Sequence, residues 1–173
     1  MVAALAVTGV LLWRSPPEFV DRIRYPLRYE AIVRAHAGNY GLDPELLAAV
    51  IYAESRFDPE AESAAGAIGL MQLLPDTARG IATRTGGKGF VVRDLFDPEI
   101  NVRYGSWYLR SLLQKYDDER LALAAYHAGQ GNVDAWLGRG IGVQFPETRA
   151  YVDTVLRAER VYRDTYPDEL GLR

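Results

Sequence analysis

The stretch "AAVIYAESRF", residues 48 to 57, closes an apolar helical pattern with a carboxylate. Leu46, Val50 and Glu54 fall on one i, i+4 row beside Leu47 and Ile51, so Glu54 shares the direction of residues that should face a core. Two effects raise the proton affinity of an acid in that position. Burial disfavours the charged form, and the C-terminal end of a helix presents partial negative charge. A carboxylic acid that stays neutral near pH 7 is a proton donor, the property glycoside cleavage asks of the group that protonates the leaving oxygen. On spacing alone, Glu54 turned to solvent or paired with Arg56 is the simpler reading.

Other chemistries find no support. His36 and His127 lack metal-ligand spacing and there is no H-E-x-x-H string, so no metal is expected. "GQGNVD" imitates the start of a dinucleotide fingerprint but comes after a helical stretch and lacks the last glycine. No nucleophile-elbow string occurs. The absence of cysteine excludes a disulfide scaffold, a thiolate metal site and a Cys nucleophile.

The elements that must position Glu54 are helices separated by turn chemistry, with no convincing period-2 strand series. "YPLRYEAIVRAHAGNYGL" gives helical spacing through Leu27, Ala31, Ile32 and Ala35, ending at Gly38 or Gly41. "LDPELLAAVIYAESRF" starts with Asp43 as N-cap, Pro44 in the first helical position and Glu45 at the positive end of the dipole. Next come a polar, Gly-containing loop and a short helix after Pro75. Asp97, Pro98 and Glu99 reuse the same opening for what should be the longest central helix, with Ile100, Tyr104, Trp107 and Ser111 along one side. A small-residue helix is expected from about Glu119 to His127. Beyond the Gly129/Gly131 break, a short helix carries Val133, Trp136 and Leu137. A last helix from Pro146 presents Val152, Val155, Leu156, Val161 and Tyr162, and Pro167 ends it.

With 173 residues, 49% hydrophobic and 25% charged, the chain is in the range of one globular domain with a sizeable core. The fold class is mostly α. We place this domain at residues 25–166, with an apolar segment and linker at 1–24 and a tail at 167–173. A formal net charge of −3 with both signs interspersed provides no basic field, so no nucleic-acid partner is expected. About twelve uncharged, mostly apolar residues run from Val2 to Trp13. As a helix they cover about 18 Å, short of the roughly 30 Å hydrocarbon core. The run reads as the tail of a membrane anchor or export segment, as an interfacial helix with Trp13 and Arg14 at the headgroups, or as a buried or disordered terminus. No basic region precedes it and no obvious cleavage site comes after it.

Four strings then stand in register: "ES" at Glu54-Ser55, "GAIGLMQ" at Gly66 to Gln72, "AYHAG" at Ala125 to Gly129 and "ETRAYV" at Glu147 to Val152. In order and spacing they resemble the soluble lytic transglycosylase (SLT) domain family of bacteria, over roughly Tyr25 to Tyr166. The resemblance implies a goose-lysozyme-like helical domain with a substrate cleft. It also implies cleavage of the β-1,4 bond between N-acetylmuramic acid and N-acetylglucosamine in peptidoglycan glycan strands, leaving 1,6-anhydromuramyl ends, with no metal or cofactor. The implied location is extracytoplasmic, which favours an anchoring or export role for residues 2–13.

By position, Glu54 is similar to that family's single catalytic acid/base. One acid suffices there because the sugar's own C6 hydroxyl attacks C1, whereas ordinary hydrolases pair two carboxylates. Asp58 and Glu62 more naturally belong to a solvated loop. The resemblance places Met71 and Gln72 in the cleft; Gln72 offers donors and an acceptor to sugar or N-acetyl groups, while Met71 also suits a core. The glycines of the same string would let backbone approach a sugar. Ser63, in the preceding loop, is a further candidate contact. Tyr126 aligns with a tyrosine whose hydroxyl contacts the acid. Glu147 and Tyr151 match a cleft-lining pair, with Glu147 either a supporting carboxylate or an acid favouring the helix dipole. Trp107, Tyr108 and Trp136 are either sugar-stacking surfaces or core. The family string has Asn where this chain has His127, which changes local hydrogen bonding and introduces a group that titrates near neutrality. A lysozyme-like hydrolase and a binding domain without turnover remain as alternatives.

Overall fold

The structure is a computed structural model and describes residues 18–172. The apolar run Val2–Trp13 lies outside the described residues. Within them the chain folds as α1 (Glu18–Arg24), α2 (Glu30–Tyr40), α3 (Pro44–Ser55), α4 (Pro75–Thr85), a 3₁₀ helix (Val92–Phe96), α5 (Pro98–Tyr116), α6 (Glu119–Ala128), α7 (Gln130–Gly138) and α8 (Pro146–Thr165). Among the described residues, β-pairing is confined to isolated bridges of Ile68 with Glu62 and Leu73. The mostly α expectation holds.

The central element is α3. Every residue from Glu45 to Tyr52 is buried, as expected of a helix apolar on all sides that other helices must surround. Pro44 sets its start, because a fixed φ and a missing N–H suit the first turn. Asp43 makes no side-chain cap there, whereas Asp97, in the same Asp-Pro-Glu string, accepts from the Glu99 and Ile100 N–H groups at 2.9 and 3.1 Å. Burial just beyond the last turn fixes the end of α3. Arg56 and Phe57 take left-handed φ values of 53° and 64°, and the fully buried Phe57 ring meets Tyr162 of α8 edge-on at 6.2 Å.

The helix expected to be the longest and most central, α5, is neither. It has 19 residues against 20 in α8. Its buried residues are Asn101, Val102, Tyr104, Gly105, Ser106, Leu109 and Leu112, so of the Ile100-Tyr104-Trp107-Ser111 row only Tyr104 is buried. The first three of that row belong to a smaller apolar cluster with Ile68, Leu73, Ile81 and Leu95. The larger cluster gathers α3, α6 and α8 around Leu47, Ile51, Leu123, Val155 and Tyr162.

Both flanks of the 25–166 unit pack on it. Residues 18–24, expected within a linker, form α1, whose Arg22 donates to the Thr165 carbonyl at 3.0 Å and to Glu169 at 2.8 Å. After α8, Leu170 is buried and Arg34 donates to the Glu169 carbonyl at 2.8 Å.

Candidate active site

Where the two apolar clusters meet, a cleft of about 410 Å³ opens, with Glu54, Ser63, Gln72, Tyr108, Tyr126 and His127 on its walls. Glu54 comes from the last turn of α3. Its row mates Leu46 and Val50 are buried as the spacing predicts, and the glutamate itself is partly buried where that row reaches the cleft. Its carboxyl is pushed up from 4.5 to about 7. Loss of hydration is the cause, opposed by the Tyr151 hydroxyl, which favours the ionised form. Arg56 is not its partner: that guanidinium lies over the Tyr52 ring and donates to the Tyr52 hydroxyl at 3.2 Å.

Two phenols stand by the acid. Tyr151, from α8, has a buried hydroxyl with no partner in hydrogen-bonding geometry, and Glu54 acts on it electrostatically. Tyr126, from α6, donates its hydroxyl to the Met71 carbonyl at 2.8 Å. Burial first, and then the Glu54 charge, push both phenols well above 10, so both remain donors. The resemblance assigns the contact with the acid to Tyr126. In the structure Tyr126 ties the loop, and the phenol turned to Glu54 without another partner is Tyr151.

The loop between α3 and α4 forms the opposite wall, and its seating explains the "ES" and "GAIGLMQ" strings. Ser55 donates to the Leu70 carbonyl at 2.8 Å, joining the end of α3 to the loop. Asn101 of α5, completely buried, accepts the Met71 N–H at 2.8 Å and donates to the carbonyls of Ile68 and Leu95 at 2.8 and 2.7 Å. Gly69, at φ 78°, leaves room for this: a Cβ there would lie 2.3 Å from both Asn101 Nδ2 and the Leu95 carbonyl oxygen. That glycine admits protein, not sugar. Gly105 does the same for Met71, whose sulfur would lie 2.2 Å from an added Cβ.

Met71 is therefore corrected. Its side chain is fully buried against α5 and does not line the cleft, while its backbone holds Asn101 and Tyr126. Gln72 does line it, but its Nε2 is spent on the carbonyls of Ala61 and Gly69 at 3.0 and 3.1 Å. Those bonds offset a left-handed φ of 46°, a conformation costing about 1–3 kcal/mol in a residue with a Cβ. What Gln72 has left for a ligand is the Oε1 acceptor. Ser63 lines the cleft and uses its oxygen to accept the Ala67 N–H at 3.0 Å, leaving its hydroxyl hydrogen to donate.

His127, where the resemblance expects Asn, is on the wall. Its Nδ1 is 3.0 Å from Oγ1 of the fully buried Thr148, and its ring packs on Tyr151 with centroids 4.5 Å apart. Burial lowers its proton affinity below the ordinary 6.5 and Glu147 pulls the other way, so the ring is neutral at pH 7. Glu147 itself is exposed and outside the cleft walls; it stands as an electrostatic neighbour of His127. Asp58 and Glu62 are exposed, and Asp58 closes a turn by accepting the Glu60 N–H. Of the three candidate stacking aromatics, Tyr108 lines the cleft against Tyr126, Trp136 is buried against Phe145, and Trp107 joins the smaller cluster.

Asn101, Ser55 and Thr148 are the positioning residues that sequence reasoning misses. Asn101 carries a signal: Asn and Gly at i, i+4 inside a long helix are poor helix formers, and a packing reason explains them.

The transglycosylase SLT domain model matches residues 31–142, more than half of the chain. The chain is 33% identical over 152 residues to the soluble lytic murein transglycosylase of Escherichia coli K12, covering 81% of this chain and 24% of that protein. Its backbone matches the 70 kDa soluble lytic transglycosylase of E. coli with a TM-score of 0.79 at 32% identity, over 88% of this chain and 26% of that one. A structure of an inactive glutamate-to-glutamine mutant of the lytic transglycosylase Slt from Pseudomonas aeruginosa matches with a TM-score of 0.75 at 33% identity, over 83% and 25% of the two chains. The chain thus spans about a quarter of the length of these relatives. On the family match, the identity and the shared fold together, this chain belongs to the transglycosylase SLT domain family.

Proposed function

We propose that the chain is a peptidoglycan lytic transglycosylase in which Glu54 is the single general acid/base. The observation that carries this is the single carboxyl of Glu54, its proton affinity raised by burial to about 7, on the wall of a cleft whose other wall residues bring no second carboxylate, among the described residues. Glu54 protonates the glycosidic oxygen as the C1–O bond breaks. The carboxylate formed then takes the proton of the C6 hydroxyl of the same muramyl residue, whose oxygen bonds to C1. The 1,6-anhydro end results without consumption of water, and Glu54 returns to its acid form. The glutamate-to-glutamine change in the inactive P. aeruginosa relative supports a chemistry that rests on one carboxyl.

Tyr151 stabilises the carboxylate transiently formed at Glu54, and its unpartnered hydroxyl has no competing bond to break. Gln72 Oε1 accepts from an N-acetyl N–H or a sugar hydroxyl, Ser63 donates, and Tyr108 offers a ring face. Thr148 and Tyr151 hold the His127 ring on the cleft wall, with the Glu147 charge outside it. The substrate lies outside the cytoplasm, so the domain works in the cell envelope, and residues 2–13 bring it to a membrane.

Mass analysis of muropeptides released from purified peptidoglycan tests the reaction. Anhydro ends establish the transglycosylase, reducing ends a hydrolase on the same fold, and sedimentation with the polymer without release a binding domain.

A further inference from the structure

Among the described residues, the two most exposed large apolar side chains are Ile23 and Phe19, at 77% and 64%, and both belong to α1. They are four residues apart and so form one ridge on a single helix face. Scattered exposed hydrophobes need no explanation, but a paired ridge on one face does. In sequence, α1 is separated only by Arg14, Ser15, Pro16 and Pro17 from the uncharged run Val2–Trp13. Apolar segments hold a bilayer more firmly when a second contact adds to the first.

α1 is not a loose appendage. Arg22 is fixed to the Thr165 carbonyl and to Glu169 and lies over the Tyr166 ring at 4.6 Å. Tyr166 donates to the Tyr25 carbonyl at 2.9 Å. Tyr52 donates to the Arg24 carbonyl at 3.1 Å, which straps the end of α1 to α3 two residues before Glu54.

We infer that the Phe19–Ile23 face of α1 is a bilayer contact, lying in the headgroup–acyl boundary. The strap through Tyr52 and Arg22 then holds the cleft at a set distance and angle from the membrane, so that glycan strands near the bilayer are within reach and distant ones are not. This rests on the reading of residues 2–13 as membrane-seeking and is independent of the reaction at Glu54.

The chain contains no cysteine, so a polarity-sensitive fluorophore can be placed on the thiol of a single Ile23→Cys substitution in the full chain. The control is Arg84→Cys on α4, an exposed site on a helix that packs against α5. Vesicles of phosphatidylglycerol and phosphatidylethanolamine should shift the emission of the label at position 23 to the blue and leave that at 84 unchanged. Phe19→Ser with Ile23→Ser should lower vesicle partitioning by about tenfold or more with unchanged thermal unfolding. Vesicle binding with an aqueous label at 23 would overturn the inference while leaving the membrane role of residues 2–13 intact. No vesicle binding by the full chain would overturn both. A blue-shifted label before vesicles are added would overturn it by giving the ridge another occupant: a second copy if the shift depends on protein concentration, this chain's own residues if it does not.

Discussion

The Tyr151 hydroxyl is buried beside the Glu54 carboxyl and has no partner in hydrogen-bonding geometry. Burial raises the proton affinity of Glu54 and Tyr151 lowers it, leaving the acid at about 7. A general acid acts in its protonated form, so kcat/KM should fall as pH rises through about 7. Tyr151→Phe removes the opposing influence. It should move that basic limb to higher pH and lower kcat, because the carboxylate formed during the reaction loses a donor. Loss of a hydroxyl without a partner should cost little stability. A pH–rate profile beside a melting curve measures both; a limb that stays in place would contradict the pairing.

The same carboxyl links stability to pH. Held at about 7 rather than 4.5, it binds more protons in the folded than in the unfolded chain between those values. Its contribution is therefore fully present below pH 4.5 and is lost as pH rises through about 7. The ceiling for that loss is about 3 kcal/mol, from 1.36 kcal/mol per pKa unit. Glu54→Gln removes the titration, so this variant should be more stable than the parent at pH 8 and lose the advantage by pH 4.5. Denaturant titrations at the two pH values test the sign.

Asn101 serves the cleft from outside it. Asn101→Ala strands the Met71 N–H and weakens the hold on the carbonyls of Ile68 and Leu95, and each buried group left unsatisfied costs about 1–3 kcal/mol. Gly105→Ala drives a methyl into Met71 and should cost about 1–3 kcal/mol by overpacking. Because Met71 also holds Tyr126, both variants should lose turnover at temperatures where they remain folded. Equal activity per folded molecule would separate the seat of the loop from the chemistry.

How much of the molecule is legible in the sequence depends on how local each cause is. The row Leu46-Val50-Glu54 and the prolines at 44, 98 and 146 act within a few residues, and α3, α5 and α8 begin where those prolines predict. The acid in the apolar face is readable for the same reason. Met71, Gln72 and Tyr126 come to the site by resemblance, and their geometry differs from the expectation because it is set by distant partners. Asn101 lies 30 positions from Met71, and Met71 lies 55 from Tyr126. No periodicity records such a pairing. Asn101 and Gly105 stand out in the sequence as poor helix formers inside α5, but nothing local says that the Met71 loop is what packs on them.

The central proposal is that one carboxyl, Glu54, carries the proton transfers. The most direct test is turnover of purified peptidoglycan by Glu54→Gln against the parent chain, with circular dichroism and melting curves confirming that both are folded. The predicted result is a loss of at least about 10²–10⁴-fold in kcat with an intact fold. Near-normal turnover by a folded Glu54→Gln chain would contradict the claim.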